Sequence, residues 1–419
     1  MKEGPKLELK EIVTNTFLKT VSAFSNYDGG QVIFGVDDKG NVKGLTDIPD
    51  LCIAIENKIN DSISPMPAYS LCVNQDMTIT LTVEAGAHKP YLYKSKAYKR
   101  NDTATVEVDS LEMNRLILEG AHLSYDMVKS TSQALEFKTL ESYLKNAINV
   151  DVFNLDTLKT LNLYSDDDGY NNAAAILADS NTFPGIDIAK FGESISVIHK
   201  RKIIANVSAI IAYEEAIALY RDYYTYELID GISRKTIELI PESAFREAVA
   251  NALIHRTWDI NSQIRVSMYN DRIEIVSPGG LPHGMSPNDY LKGNLSILRN
   301  PVLANVFFRL NFVEIFGTGI LRIKEAYSSS ARKPSFEITD NMIKVTLPLL
   351  ETNLNLSDDE IVVYNALSRS MSKAIGEIFP KTTFGRSKVK DILNRLAERG
   401  IVKIEGNGRG TKYRIITTI

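Results

Sequence analysis

Cysteine and long apolar runs are what this 419-residue chain has least of. It carries 2 cysteines, Cys52 and Cys72, and no Cys-x-x-Cys pair. That excludes a cysteine-built zinc site and a dithiol redox motif. No apolar stretch approaches the roughly 18–20 residues of a membrane span, so no membrane-embedded part is expected. The opening Met1-Lys2-Glu3-Gly4-Pro5-Lys6 leads into charged residues rather than an apolar signal core. With free thiols expected, the reading is a cytoplasmic chain. No G-x-x-x-x-G-K-[ST] occurs, which argues against a P-loop motor. A dominant charge sign is missing too: 48 Lys+Arg stand against 52 Asp+Glu, a net charge of −4. With 44% hydrophobic and 24% charged residues, the composition is that of a globular protein and not of a disordered one. At roughly 100–200 residues per domain, about three domains are expected.

Periodicity divides the chain. Leu7 and Leu9 alternate with Lys6, Glu8 and Lys10, which predicts a strand. Val13, Phe17, Val21 and Phe24 then recur at helical spacing up to Asn26, and an apolar strand at 31–36 precedes a short return at 42–45. A helix at 49–62, strands at 69–73, 78–83 and 97–100, and a closing helix at 111–123 complete a predicted α/β unit, residues 1–123. Residues 124–239 read as an intermediate α/β segment with buried elements near 173–178 and 203–213. Its Asp166-Asp167-Asp168-Gly169 is a solvated turn by composition. From Pro241 a helix is predicted to His255, then strands at 264–269 and 272–276. A Gly- and Pro-rich loop follows at 277–287, a helix at 301–310, a glycine turn at 316–320 and a last strand at 343–347. These form a unit at 240–352. The polar stretch 354–359 links it to a basic tail, 353–419.

That tail has a recognisable plan. Val389, Ile392, Leu393 and Leu396 share one helical face, and Gly400 stands where a left-handed C-cap belongs. Two short apolar strands then flank Gly406-Asn407-Gly408-Arg409-Gly410. A helix followed by a basic-tipped hairpin predicts a winged helix-turn-helix. Arg386, Lys388, Lys390 and Arg395 would lie on its recognition helix, with Arg409 and Lys412 on the wing, all facing nucleic acid: DNA, with RNA the alternative.

Glu247, Asn251 and His255 recur every four residues and so share a helical face. A carboxylate and an amide stacked this way can orient a water and hold a hydrated Mg²⁺. Two glycine turns follow, Ser277-Pro278-Gly279-Gly280-Leu281-Pro282 and Gly317-Thr318-Gly319, where backbone amides can approach phosphate. Together with Arg246, His255-Arg256, Arg299-Asn300-Pro301 and Ile320, this order resembles the GHKL (Bergerat-type) ATPases such as gyrase, histidine kinases and MutL. It resembles most the variant in bacterial proteins described as transcriptional regulators or RecG-like helicases. The resemblance implies an α/β sandwich that binds ATP and Mg²⁺. By it, Asn251 ligates the metal and Glu247 activates a hydrolytic water. His255, Ser277, Gly279, Gly280, Gly317, Thr318 and Gly319 line the nucleotide, and Thr346 sits below the adenine. Ser277 stands where the family usually has an Asp.

Near the N-terminus, Glu8 and Lys10 share one face of a strand, with Glu3 before them and Asp37 at the end of the next strand. Carboxylates with a lysine could hold a divalent metal and stabilise a phosphoryl transition state. Residues 3–120 resemble the Schlafen-type AlbA-like domain, through Glu3…Glu8-Leu9-Lys10, Ala23-Phe24-Ser25-Asn26…Gly29-Gly30, Gly35-Val36-Asp37-Asp38, Lys89-Pro90-Tyr91 and Tyr98-Lys99-Arg100. Some relatives cut RNA; many are considered nucleic-acid binders. The joint expectation is an α/β, multidomain, homo-oligomeric regulator in which ATP controls domain arrangement and DNA engagement. The alternative is a nucleotide-gated, metal-dependent nuclease that uses Glu3, Glu8, Lys10 and Asp37, in phage defence.

Overall fold

The structure, a computed structural model, describes residues 1–148, 152–230, 233–282, 284–293, 297–314, 317–350, 356–368 and 371–416. Phe316, which opens the second glycine turn, and residues 354–355 of the expected linker lie outside the described residues. The chain divides into two compact units, Met1–Ser124 and Tyr125–Ile419. Among the described residues, no helix is long and apolar enough to cross a membrane.

The first unit holds β1 (Leu7–Lys10), α1 (Phe17–Asn26), β2 (Gly30–Phe34), α2 (Ile48–Ser62), β3 (Tyr69–Val73) and β4 (Ile79–Val83). Its sheet runs β1-β2-β4-β3, with β1 parallel to β2 and the other pairs antiparallel. Phe17, Val21 and Phe24 of α1 are buried together with Val32, Phe34, Ile79 and Leu81 of the strands. A ribbon of β5 (Tyr98–Asn101) and β6 (Ala104–Glu107) precedes α3 (Ser110–Gly120). The expected return at 42–45 is reduced to one bridge, Val36 with Val42. The Asp37 carboxylate takes the amides of Lys39 and Asn41 and bends the chain into a local turn instead of a ladder.

In the second unit, α4 (Lys138–Ile148) and α5 (Asn172–Leu177) precede β7 (Ile186–Phe191), β8 (Ile198–Ile204) and α6 (Ala209–Tyr224). The ribbon β9 (Thr225–Asp230) with β10 (Ser233–Glu238) leads to α7 (Glu242–His255), β11 (Ile264–Met268) and β12 (Arg272–Pro278). Next come α8 (Pro287–Lys292), α9 (Pro301–Arg309), α10 (Gly319–Ala326), β13 (Ser335–Ile338) and β14 (Met342–Pro348). One six-stranded sheet runs β8-β7-β11-β12-β14-β13. Only β7 and β11 are parallel in it. Ile264, Val266, Ile273, Ile275, Val345 and Leu347 are buried in the same core as α6 and α7, which runs from Phe137 to Leu347. The segment 124–239, read from the sequence as a separate intermediate piece, therefore supplies two strands and a core helix to the sheet that carries 240–350. The apolar run of α7 extends nearly round the helix, as expected for one covered on most sides.

The tail contains α11 (Asp358–Asn365), α12 (Ile375–Ile378), α13 (Arg386–Glu398), β15 (Val402–Glu405) and β16 (Lys412–Ile415). Val389, Ile392, Leu393 and Leu396 of α13 are buried with Val363, Tyr364 and Tyr413 in a core of their own.

Asp126, fully buried, accepts the amides of Val302 (2.9 Å) and Leu303 (3.0 Å). It satisfies two of the donors that the N-terminus of α9 leaves open and places negative charge at the positive end of the helix. Asp126→Ala is expected to cost about 2–3 kcal/mol in urea unfolding, because those amides lose their buried acceptor. Asp126→Asn, which keeps an acceptor oxygen, is expected to cost less.

Candidate functional site

Three turns of α7 present Glu247, Asn251 and His255 on one face, and the start of α10 runs against that face. A Cβ placed on Gly319 would stand 2.3 Å from Glu247 Oε1 and 2.7 Å from Asn251 Nδ2. A side chain at position 319 would collide with the ends of the Glu247 and Asn251 side chains, so glycine there leaves that pair undisturbed beside α10. Asn251 Nδ2 donates to Glu247 Oε1 at 3.1 Å. A cleft opens beside them, about 670 Å³ with its open mouth included. Glu247, Asn251 and His255 line it, with Gly280 from the first glycine turn and Gly317 and Gly319 from the second. A smaller cavity of about 300 Å³ adjoins it, walled by Ala248, Ala252, Ile275, Ser277 and Val345. Asn251, His255, Tyr290 and Ile343 line both.

Burial sets the electrostatics. The Glu247 carboxyl is raised above the ordinary carboxylate range by loss of water, against the opposing pull of the Asn251 bond and of Arg322. Burial, aided by the nearby Arg299 charge, pushes His255 down to about 4. At neutral pH its imidazole is therefore uncharged, one nitrogen donating and the other accepting. The Ser277 hydroxyl donates to the Ala252 carbonyl at 2.9 Å, which leaves its lone pairs for another donor.

The rim is held by its own bonds. Gly279, at φ +99°, packs where a side chain would strike Thr257 Oγ1. Gly279 and Gly280 donate their amides to Asn341 (2.8 Å) and Asp340 (3.1 Å). Arg299 donates to Thr257 Oγ1 (2.8 Å) and to the Gly280 carbonyl (2.7 Å). Asn300 donates to the carbonyls of Ile254 and Arg256 at the end of α7. Arg299-Asn300-Pro301 thus ties α7 to the first glycine turn.

Of the residues singled out in the sequence, the structure gathers Glu247, Asn251, His255, Gly280, Gly317 and Gly319 at the larger cavity and Ser277 at the smaller. Gly279 faces Thr257 instead. Thr318 precedes the first turn of α10 and makes no capping bond with its side chain. Thr346 requires a correction. Strand side chains alternate, and Ile343 and Val345 line the cavities, so Thr346 lies on the opposite face of β14 and not beneath a base. Tyr290 was not anticipated, since a lone tyrosine in a polar loop carries no periodic signal.

The N-terminal carboxylates are separately engaged. Buried Glu8 is paired with Arg100 and with Lys10 (2.7 Å) and accepts from the Thr20 hydroxyl (2.8 Å). Arg100 also holds Thr105 and the Gly4 carbonyl. Glu3 accepts the Leu9 amide (2.9 Å). Asp37 is lowered to about 2, mainly by the backbone and side-chain bonds from Asn41. Among the described residues, no group of three His, Cys, Asp or Glu side chains is arranged to hold a metal. In the tail, Lys388 pairs with Asp359 (2.7 Å) and Arg395 lies 3.9 Å from Glu360. Arg386 and Lys390 share a cleft with the wing residues Gly408 and Thr411. Lys412 is exposed, and the side chain of Arg409 lies outside the described residues.

His255 gives a pH signature. Its folded pKa lies below the ordinary 6.5, so between about pH 4 and 6.5 the unfolded chain binds more protons and stability rises with pH. Unfolding free energy is expected to fall by about 2 kcal/mol from pH 7 to pH 5 through this group alone. His255→Gln should flatten that part of the urea-denaturation profile.

Three family models match the chain. "Schlafen, AlbA_2" matches residues 3–109, "Putative ATP-dependent DNA helicase recG C-terminal" matches 261–347, and "Sugar-specific transcriptional regulator TrmB" matches 350–418. The second begins after α7 and so does not itself include Glu247 or Asn251. The crystal structure of the DIP2311 protein from Corynebacterium diphtheriae is 18% identical and aligns over 98% of this chain and 92% of that one, with a TM-score of 0.49. No curated protein matches the chain. In order, the chain carries an AlbA_2 segment of Schlafen type, a segment similar to the recG C-terminal ATPase-type domain, and a TrmB-type regulator segment.

Proposed function

We propose that residues 240–352 act as a GHKL-type nucleotide-binding unit, that its ligand is ATP with Mg²⁺, and that occupancy changes how the winged-helix segment 353–419 engages DNA. The observation that carries this reading is the approach of α10 to the Glu247–Asn251 pair at Gly319, beside a cleft lined by both glycine turns. The similarity to an ATPase-type family over 261–347 and to a transcriptional regulator over 350–418 supports it.

The residues present fit such a ligand. Asn251 uses an N–H on Glu247, which leaves its amide oxygen as the hard donor that magnesium prefers. A bound Mg²⁺ would supply charge neutralisation at the phosphate oxygens. The open amides at the start of α10, which begins at Gly319, suit phosphate. Buried Glu247, with its raised carboxyl, is suited to accept a proton from a water held beside Asn251. Neutral His255 and the Ser277 lone pairs offer hydrogen bonds to a base in the smaller cavity, which Ala248, Ala252, Ile275 and Val345 also line. We also propose a homo-oligomer whose arrangement the nucleotide biases.

Two measurements test the reading. ATP with Mg²⁺ at about 100 times its Kd should stabilise the native chain by about 2.7 kcal/mol in thermal denaturation, and Asn251→Ala should abolish the gain. An unaltered gain in that variant rejects the site. In DNA titrations, Asp359→Asn should release Lys388 for a phosphate, tighten duplex binding a few-fold and steepen the log–log salt slope by about 0.9. Identical slopes in both proteins would remove Lys388 from the DNA-facing set.

A further inference from the structure

We propose that Tyr290 is the side chain that covers the base of a nucleotide in the cleft, stacking on it as the wall opposite the sheet. This rests on the nucleotide reading of the site and deepens it. Tyr290 stands on α8, between the two glycine turns, and it is one of four residues that border both cavities, with Asn251, His255 and Ile343. Asn251 and His255 belong to the α7 wall, and Ile343 belongs to the sheet. Tyr290 is the residue lining the smaller cavity that comes from neither α7 nor the sheet. That cavity has small or aliphatic side chains, Ala248, Ala252, Ile275 and Val345, beside the polar Asn251, His255 and Ser277. An aliphatic floor with an aromatic side suits a planar heterocycle better than a sugar or a phosphate.

The ring and not the hydroxyl carries the proposed role. The Tyr290 hydroxyl makes no hydrogen bond to a described residue, and burial alone pushes its pKa up to about 12. The helix that presents it is anchored at both ends. Ser286 accepts the Asp289 amide at 3.1 Å, and Gly293 ends the helix at φ +64°. Lys324 of α10 donates to the Leu291 carbonyl at 2.5 Å. Since α10 also carries Gly319, the base-covering helix and the helix beside Glu247 and Asn251 are bonded to each other.

The experiment is ATP titration of the full-length chain by calorimetry, with melting of the nucleotide-free proteins measured alongside. Tyr290→Phe should bind within about twofold of the native chain. Tyr290→Leu and Tyr290→Ala should bind roughly tenfold more weakly, because base–aromatic stacking is lost, while their melting temperatures stay near the native value. Leu or Ala variants that bind as tightly as the native chain overturn the proposal, as does a Phe variant as weak as the Ala one. If Tyr290→Ala does not fold, the comparison of Phe with Leu decides. Asn251→Ala, measured in parallel, separates the two levels. Binding lost in it but flat across the Tyr290 series leaves the site standing and removes Tyr290 from it. ATP binding that survives Asn251→Ala removes both.

Discussion

The approach of α10 to α7 at Gly319 is the constraint on which the rest of the second unit turns. Burying a carboxylate is expensive unless its lone pairs are used, and Glu247 is buried with Asn251 as its hydrogen-bond donor. Its neighbours are more fully engaged: Asn300 makes two bonds to the end of α7, Arg299 joins Thr257 to Gly280, and Asp126 takes two amides of α9. Acceptor capacity is thus left over beside the cleft that Glu247 and Asn251 line. A rigid frame around an under-bonded carboxylate is how a site pre-organises itself for a ligand, since the frame supplies the positional order and the ligand supplies the missing partners.

Much of this frame was legible in the sequence, for reasons that differ from element to element. The period of α7 and the alternation of β11, β12 and β14 are local patterns, and the structure forms those elements close to the expected bounds. The face shared by Glu247, Asn251 and His255 follows from helical geometry alone. The pairing of β7 with β11 did not follow, because it joins Ile186 to Ile264 across β8, two helices and a ribbon, and no local pattern encodes a non-local parallel register. The displacement of Thr346 was readable in principle. Ile343, Val345 and Leu347 already mark the buried face of β14, and a residue between them must point the other way. Tyr290 was not readable at all, for its importance lies in what two distant turns and α7 place around it.

The N-terminal carboxylates show the opposite case, a motif whose residues are present but otherwise occupied. The strand pattern does put Glu8 and Lys10 on one face, and they do pair. What the sequence concealed is Arg100, ninety-two positions later, whose guanidinium shares the same buried carboxylate. A buried Arg–carboxylate pair that is also bonded to Thr20, Thr105 and the Gly4 carbonyl fixes β1 against the β5–β6 ribbon. Breaking such a cluster to seat a metal would leave Arg100 uncompensated inside the unit, so its chemistry favours architecture over catalysis.

In the tail the balance is different again, because its pairs are exposed. The acidic first turn of α11, Asp358-Asp359-Glu360, serves its own helix dipole and also meets Lys388 and Arg395 of α13 and Arg399 just beyond it. Pairs in contact with water are worth only about 0.2–1 kcal/mol. A phosphate backbone, with its dense charge and its release of counterions, outcompetes a single carboxylate at that level. The acidic turn therefore lowers the resting basic field of α13 without locking it. On the proposed DNA-facing reading, the exposed Lys388–Asp359 contact is the one a polyanion displaces first, while Glu360, buried and capping its own helix with Ser357, stays with Arg399.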